Sequence, residues 1–191
     1  MTRGELGAFV TPAAGHRLLP DVPWAGDNEC FTLGDRFDGD RFVRWLDRQP
    51  HANCLFVVAP DVVGDAAATL ERSTPWFDII RGLGFPVAFV GQDGVEDMLD
   101  DVPWRKFDAW FTGGSTDWKL SEASSVCASE AKTRGKWLHM GRVNSQRRVL
   151  IADRQGYDSV DGTYLAFGPD KNLPSLLGWM ACAATQERLT I

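Results

Sequence analysis

Hydrophobic positions in this chain fall into short runs that close on polar or glycine residues, and a helical pattern follows most of them. The runs lie at 8–10, 23–25, 55–59, 87–90, 109–112, 137–140 and 157–160, with an eighth candidate at 164–167. Apolar positions spaced for helices occupy about 40–48, 64–81, 118–134, 145–154 and 173–188. Strands apolar on both faces that alternate with helices predict a parallel sheet covered on both sides. The expected fold is α/β, a compact or trimmed (β/α) TIM-like barrel in one domain spanning residues 1–191. A typical barrel needs about 250 residues, so the loops must be minimal. A doubly wound open sheet is the alternative, although no G-x-G-x-x-G fingerprint follows the first strand.

In parallel α/β folds, ligands meet the carboxyl ends of the strands. Those ends carry, in order, Asp27-Asn28, Asp61, Gln92-Asp93, Gly113-Gly114-Ser115, Met140-Gly141-Arg142 with Asn144, and Asp161-Gly162. The segment 136–163 is the most explicit: a strand, a basic helix closed by Gly156, and a second strand that delivers Asp161. Each of these residues also has a structural reading. Asp61 and Asp161 are potential helix caps, Gln92-Asp93 and Gly113-Gly114 potential turns, and Met140 a core residue by default.

The ordered series resembles the tRNA-guanine transglycosylase superfamily and its compact DNA-acting relatives. The matching motifs are Leu55-Phe56-Val57-Val58-Ala59-Pro60-Asp61, Val90-Gly91-Gln92, Phe111-Thr112-Gly113-Gly114-Ser115, Leu138-His139-Met140-Gly141 and Gly156-Tyr157-Asp158-Ser159-Val160-Asp161. The resemblance covers about 53–163. It implies a barrel that cleaves the N-glycosidic bond of a nucleobase. Asp161 would be the nucleophile or oxocarbenium stabiliser, and Asp61 the second acid or base. Gln92, Gly113, Gly114, Ser115 and Gly141 would contact the base, and Met140 would pack on its face. Asp27 and Asn28 are expected to add a base contact from their place at the second strand end alone, with no family motif behind them. Arg142, Asn144, Arg147, Arg148 and Lys136 would hold the nucleic-acid backbone. The family's C-x-C-x-x-C…H zinc site and its Pro-Thr-Arg segment are missing; Gly162-Thr163-Tyr164 follows Asp161 instead. These departures point from tRNA towards DNA, with the base flipped into the pocket. The expected activity is excision of a modified base, in a setting of phage DNA and antiviral defence. Exchange of guanine for a 7-deazaguanine is the alternative.

Composition narrows the picture only modestly. The net charge of −6 argues against a uniformly basic nucleic-acid surface, but Lys132, Arg134, Lys136, Arg142, Arg147 and Arg148 face the single acid Glu130 between 130 and 148. No apolar run is long enough to span a membrane and MTRGELGAFV has no signal-like core, so a cytoplasmic location is expected. Cys30, Cys54, Cys127 and Cys182 show no C-x-x-C pair and are expected as buried thiols. No cofactor and no metal is expected. Two other classes stay open: a non-catalytic barrel that binds nucleic acid or protein, and a small-molecule hydrolase using Asp61 and Asp161.

Overall fold

The computed structural model describes residues 6–15 and 17–186. Seven strands form one sheet in strictly sequential order, and every neighbouring pair is parallel. They are β1 Ala8–Val10, β2 Trp24–Gly26, β3 Cys54–Val58, β4 Val87–Gly91, β5 Ala109–Thr112, β6 Trp137–Met140 and β7 Ser159–Val160. The helices between them are α1 Cys30–Leu33, α2 Gly39–Leu46, α3 Ala66–Gly82, α4 Thr116–Lys119, α5 Glu122–Thr133 and α6 Gln146–Arg154, with α7 Pro169–Gln186 after β7.

The sheet is curled. In a flat sheet β1 and β6 would stand about 24 Å apart, five strand spacings. Instead the Phe9 ring on β1 stacks on His139 of β6 with centroids 5.6 Å apart, and lies 6.1 Å from Phe111 of β5. The result is a TIM-like half-barrel with β1 and β7 as its edges. Side-chain alternation assigns the two faces. Val57, Phe89, Trp110 and Leu138 point outward against Phe77 and Ile80 of α3 and Ala128 and Ala131 of α5. Ala25, Phe56, Val58, Ala88, Val90 and Ala109 point inward. The three inner alanines leave room for the sheet to bend, and Phe9, Phe56, Phe111 and the ring of His139 fill the space inside.

Three helix-to-strand turns are built alike. After α3, α5 and α6 a glycine (Gly84, Gly135, Gly156) takes a left-handed φ of 88, 71 and 73°. The residue after it donates back into the last turn: Phe85 to Ile80, Lys136 to Ala131 and Tyr157 to Ala152. This double-bonded stop satisfies the last carbonyls and aims the chain at the next strand. At the other end, Asp38, Asp65, Ser115, Ser121 and Ser145 cap α2 to α6 through their side chains.

The structure departs from the sequence pattern in three places. The helix expected over 118–134 is two helices, because the Ser121 hydroxyl accepts from the Ser124 N–H and starts a new one. The expected eighth strand at 164–167 is a turn, in which Phe167 and Gly168 donate to Thr163 and Leu165. Its polar groups are paired locally, and Phe167 is 84% exposed rather than packed in a sheet. The last helix begins at Pro169 in the first helical position, where its missing N–H is harmless; its expected end at 188 lies outside the described residues. Of the cysteines, Cys30 and Cys127 are buried, Cys54 is half-buried and Cys182 is exposed. The buried-thiol expectation therefore fails for Cys182, which is exposed on α7 next to the buried Ala183. Among the described residues, no helix is long and apolar enough to cross a membrane.

Two substitutions into open space separate backbone conformation from packing. A Cβ at Gly135 or at Gly178 meets nothing within 4 Å, but only Gly135 has a left-handed φ. Gly135→Ala is expected to lower unfolding free energy by about 1–2 kcal/mol. Gly178→Ala, inside α7, should raise it by about 0.5–1 kcal/mol. Urea denaturation measures both, and a neutral Gly135→Ala would contradict the capping role.

Candidate active site

The carboxyl ends of the strands are joined by a buried chain of amides and carboxylates. Asn28, just after β2, donates from Nδ2 to the Ala59 carbonyl at 2.8 Å and to Asp61 Oδ1 at 2.9 Å. Gln92, just after β4, donates from Nε2 to Asp61 Oδ2 at 2.6 Å. The Gln92 Oε1 accepts from the Gly64 and Gly114 N–H groups, each at 2.9 Å. The Asn28 Oδ1 accepts from the Cys30 N–H at 2.7 Å and so starts α1. Asn28, Asp61 and Gln92 are 3, 7 and 2% exposed, and their amide and carboxylate groups are spent on one another. Burial pushes the Asp61 carboxyl up, against the opposing pull of the Asn28 and Gln92 amides.

Asp161 is arranged differently. Its Oδ1 lies 3.1 Å from His139 Nε2 and accepts from the Arg142 N–H at 3.3 Å. Among the described residues nothing donates to Oδ2, and the side chain is 18% exposed. The orientation of His139 follows from its neighbours. The Trp137 indole N–H donates to Ser159 Oγ at 2.8 Å, and His139 Nδ1 pairs with the same oxygen, also at 2.8 Å. A carboxylate oxygen only accepts, so with Asp161 ionised Nε2 carries the hydrogen between them. Asp161 is thus held by one oxygen and open at the other. A Cβ on Gly141 would meet the Phe111 ring at 2.6 Å and Asp161 Oδ1 at 3.2 Å, so glycine there keeps this space clear.

Asp27 completes the mouth. Its carboxyl is pushed up to about 6 by burial, with the Asp61 and Asp161 carboxylates adding to the effect and the Glu29 N–H, 2.6 Å away, opposing it. Asp93 goes the other way. Burial raises it, but the Ser115 hydroxyl and N–H, at 2.6 and 2.7 Å, hold it below the usual carboxylate range. The cations nearby are fixed. Arg142 has a left-handed φ of 59°, a conformation that disfavours a non-glycine residue. From there its guanidinium donates to the Gly114 carbonyl and lies 5.1 Å from the centroid of the Phe31 ring. Arg148 donates to the Arg142 carbonyl at 3.1 Å, and Lys119 to the Gly141 carbonyl. Lys119 is 3% exposed, and burial followed by the Arg142 charge lowers its ammonium to about 7.

The residues expected at the site therefore separate into groups. Asp27, Gly141, Arg142 and Asp161 meet at the mouth. Asn28, Asp61, Gln92 and the Gly114 N–H, expected on the base or its proton, instead form the brace beneath it. Gly113 is packing, since a Cβ would fall 2.6 Å from Val90. Ser115 caps α4. Met140 does not face the mouth: strand alternation turns it outward, where it is fully buried with Val143, Val149 and Ala152. Lys136 does not belong there either. It directly precedes β6 at the opposite end of the sheet, with its ammonium on the Phe107 carbonyl. Asn144 accepts from the Tyr164 N–H at 3.0 Å and holds the loop after β7, while Arg147 is exposed at the start of α6. Among the described residues, no group of three or more His, Cys, Asp or Glu side chains is placed to hold a metal ion.

No family model matches the chain, and no curated protein matches it. A solved structure from Aquifex aeolicus VF5, described as "Structural study of Project ID", is similar to it with a TM-score of 0.52 at 14% identity. That match covers 84% of this chain and 60% of the other, so the chain spans 60% of the length of that protein. The likeness is one of fold alone.

His139, Lys119 and Glu29 were not singled out from the sequence. His139 sits mid-strand in an apolar run, but alternation places it on the same face as Asp161, two residues beyond its sheet partner Ser159. Glu29 has a left-handed φ of 64°, accepts from the Ala13 N–H at 2.8 Å and pairs with Arg41 at 3.0 Å. Only the polar run Asp27-Asn28-Glu29 hinted at it.

Two measurements check the electrostatics. Replacing Asp161 by Asn should lower the Asp27 pKa, read by carboxyl carbon NMR, while burial keeps it above 4. An unchanged value would separate the two groups. The folded Asp27 holds its proton up to about 6 and an unfolded aspartate only to about 3.9. The folded state therefore binds more protons in that window, and the Asp27 contribution to stability falls as pH rises through it. Asp27→Asn should raise the melting temperature more at pH 8 than at pH 4.

Proposed function

We propose that this protein cleaves the N-glycosidic bond of a nucleobase in DNA, with excision of a modified base as the preferred outcome. The observation that carries the reading is the contrast between two acids at one mouth. Asp161 has one carboxylate oxygen that takes no donor among the described residues, while burial pushes the Asp27 carboxyl up to about 6. The order of strand-end motifs resembling the tRNA-guanine transglycosylase superfamily supports the same reaction class.

In the proposed step the open oxygen of Asp161 bonds to C1′ of the nucleotide, or stabilises the positive charge there, as the C1′–N bond breaks. The bonding electrons leave with the base nitrogen, which takes its proton from Asp27. Water then displaces Asp161 and leaves an abasic sugar, with Asp27 accepting a proton from that water. Asp61 has its oxygens occupied by two amides, so its task is to hold the mouth open and to raise the Asp27 pKa. Arg142, Arg147 and Arg148 would hold the phosphates that flank a flipped nucleotide. A cytoplasmic role against modified phage DNA belongs to this proposal.

Incubation with a panel of modified and unmodified phage DNAs tests it, with released bases read by mass spectrometry and abasic sites counted. Free base with abasic sites is expected. Asp161→Ala should reduce release by at least about 10³-fold. Asp27→Asn should cost about 10²–10⁴-fold and abolish a decline in rate above about pH 6. Undiminished release in Asp161→Ala would remove the mechanism. Incorporation of an added 7-deazaguanine would mean exchange instead, and no change on any DNA would sink both.

A further inference from the structure

Phe31 is the large apolar side chain that the mouth leaves unexplained. It lies on α1, directly after the strand end that carries Asp27 and Asn28, and is 64% exposed. Its position is nevertheless fixed. The Asn28 side chain starts α1 through the Cys30 N–H and is itself tied to Asp61 and the Ala59 carbonyl. Over the Phe31 ring, 5.1 Å from its centroid, sits the Arg142 guanidinium, anchored on the Gly114 carbonyl. The backbone N–H of the same arginine holds Asp161. An exposed phenylalanine gains nothing from burial at this place, and a rigid aromatic beside a fixed arginine is matched to a planar base followed by a phosphate.

We infer that Phe31 and Arg142 form a subsite for the nucleotide next to the reacting one, whose base stacks on Phe31 while its phosphate meets Arg142. This rests on the nucleobase reading of the site. It adds an aromatic platform for the neighbouring base, a contact tolerant of sequence because every base has a π-face.

Binding of a mixed-sequence single-stranded oligonucleotide at low salt tests the subsite without requiring turnover. Phe31→Ala should weaken binding about 5- to 100-fold. Phe31→Trp should bind as well as the wild type, and Phe31→Leu should resemble the alanine variant. The dependence of log affinity on log salt should be unchanged in all three, since the phosphate contacts remain. Full affinity in Phe31→Leu or Phe31→Ala, or no oligonucleotide binding by the wild type, would overturn the inference. The two readings fail separately. Oligonucleotide binding with the expected variant pattern but no base release from any DNA would leave the subsite standing and remove the cleavage reaction. Base release without a Phe31 effect would do the reverse.

Discussion

The side-chain amide of Gln92 joins the ends of the central strands. Its nitrogen holds Asp61 after β3, and its oxygen takes the backbone N–H of Gly64 before α3 and of Gly114 after β5. Asp61 passes the connection to Asn28 after β2, and the Gly114 carbonyl passes it to Arg142 after β6. Each link is short and most are buried, where an unpaired polar group would be expensive, so the chain holds only if every member is present. Gly114 shows how tight it is. A Cβ there would meet Trp118 at 2.5 Å and Asp93 at 2.6 Å.

This brace keeps Asp61 beneath the mouth, below the two carboxyl groups of Asp27 and Asp161, without a lysine or arginine counter-ion on any of the three among the described residues. Both Asp61 oxygens are held by amide donors, Asp161 is held on one side by a histidine and a backbone N–H, and burial pushes the Asp27 carboxyl up to about 6, so that it is the acid that protonates as pH falls towards that value. The cations that might have quenched Asp161 are turned elsewhere, Lys119 to a carbonyl and the Arg142 guanidinium to Gly114 and Phe31. Two acids with separated protonation are the arrangement on which the proposed glycosidic cleavage rests.

Much of the fold was legible because strand and helix periods differ and the helix stops carry glycine. Runs such as Val87-Ala88-Phe89-Val90 have few other readings, and Gly84, Gly135 and Gly156 mark three turns of one design. The curl was not legible: it depends on which small residues face inward, and Ala25, Ala88 and Ala109 look like any other apolar positions. The site was legible as a set of strand ends but not as roles. Gln92 and Asn28 look like ligand contacts until their partners, 31 and 33 residues away on Asp61 and its strand, are seen to use them up. Met140 and His139 are adjacent, and only the alternation of the strand decides that His139 faces Asp161 and Met140 the helices.

The proposed reaction turns on one oxygen of Asp161, which takes no donor among the described residues and would meet the sugar carbon. The direct measurement is peptide mapping by mass spectrometry after acid quench of the protein mid-reaction with a DNA from which it releases base. A deoxyribose phosphate adduct that has lost its base is expected on the peptide that contains Asp161. An adduct on any other residue, formed while base is being released, would contradict it.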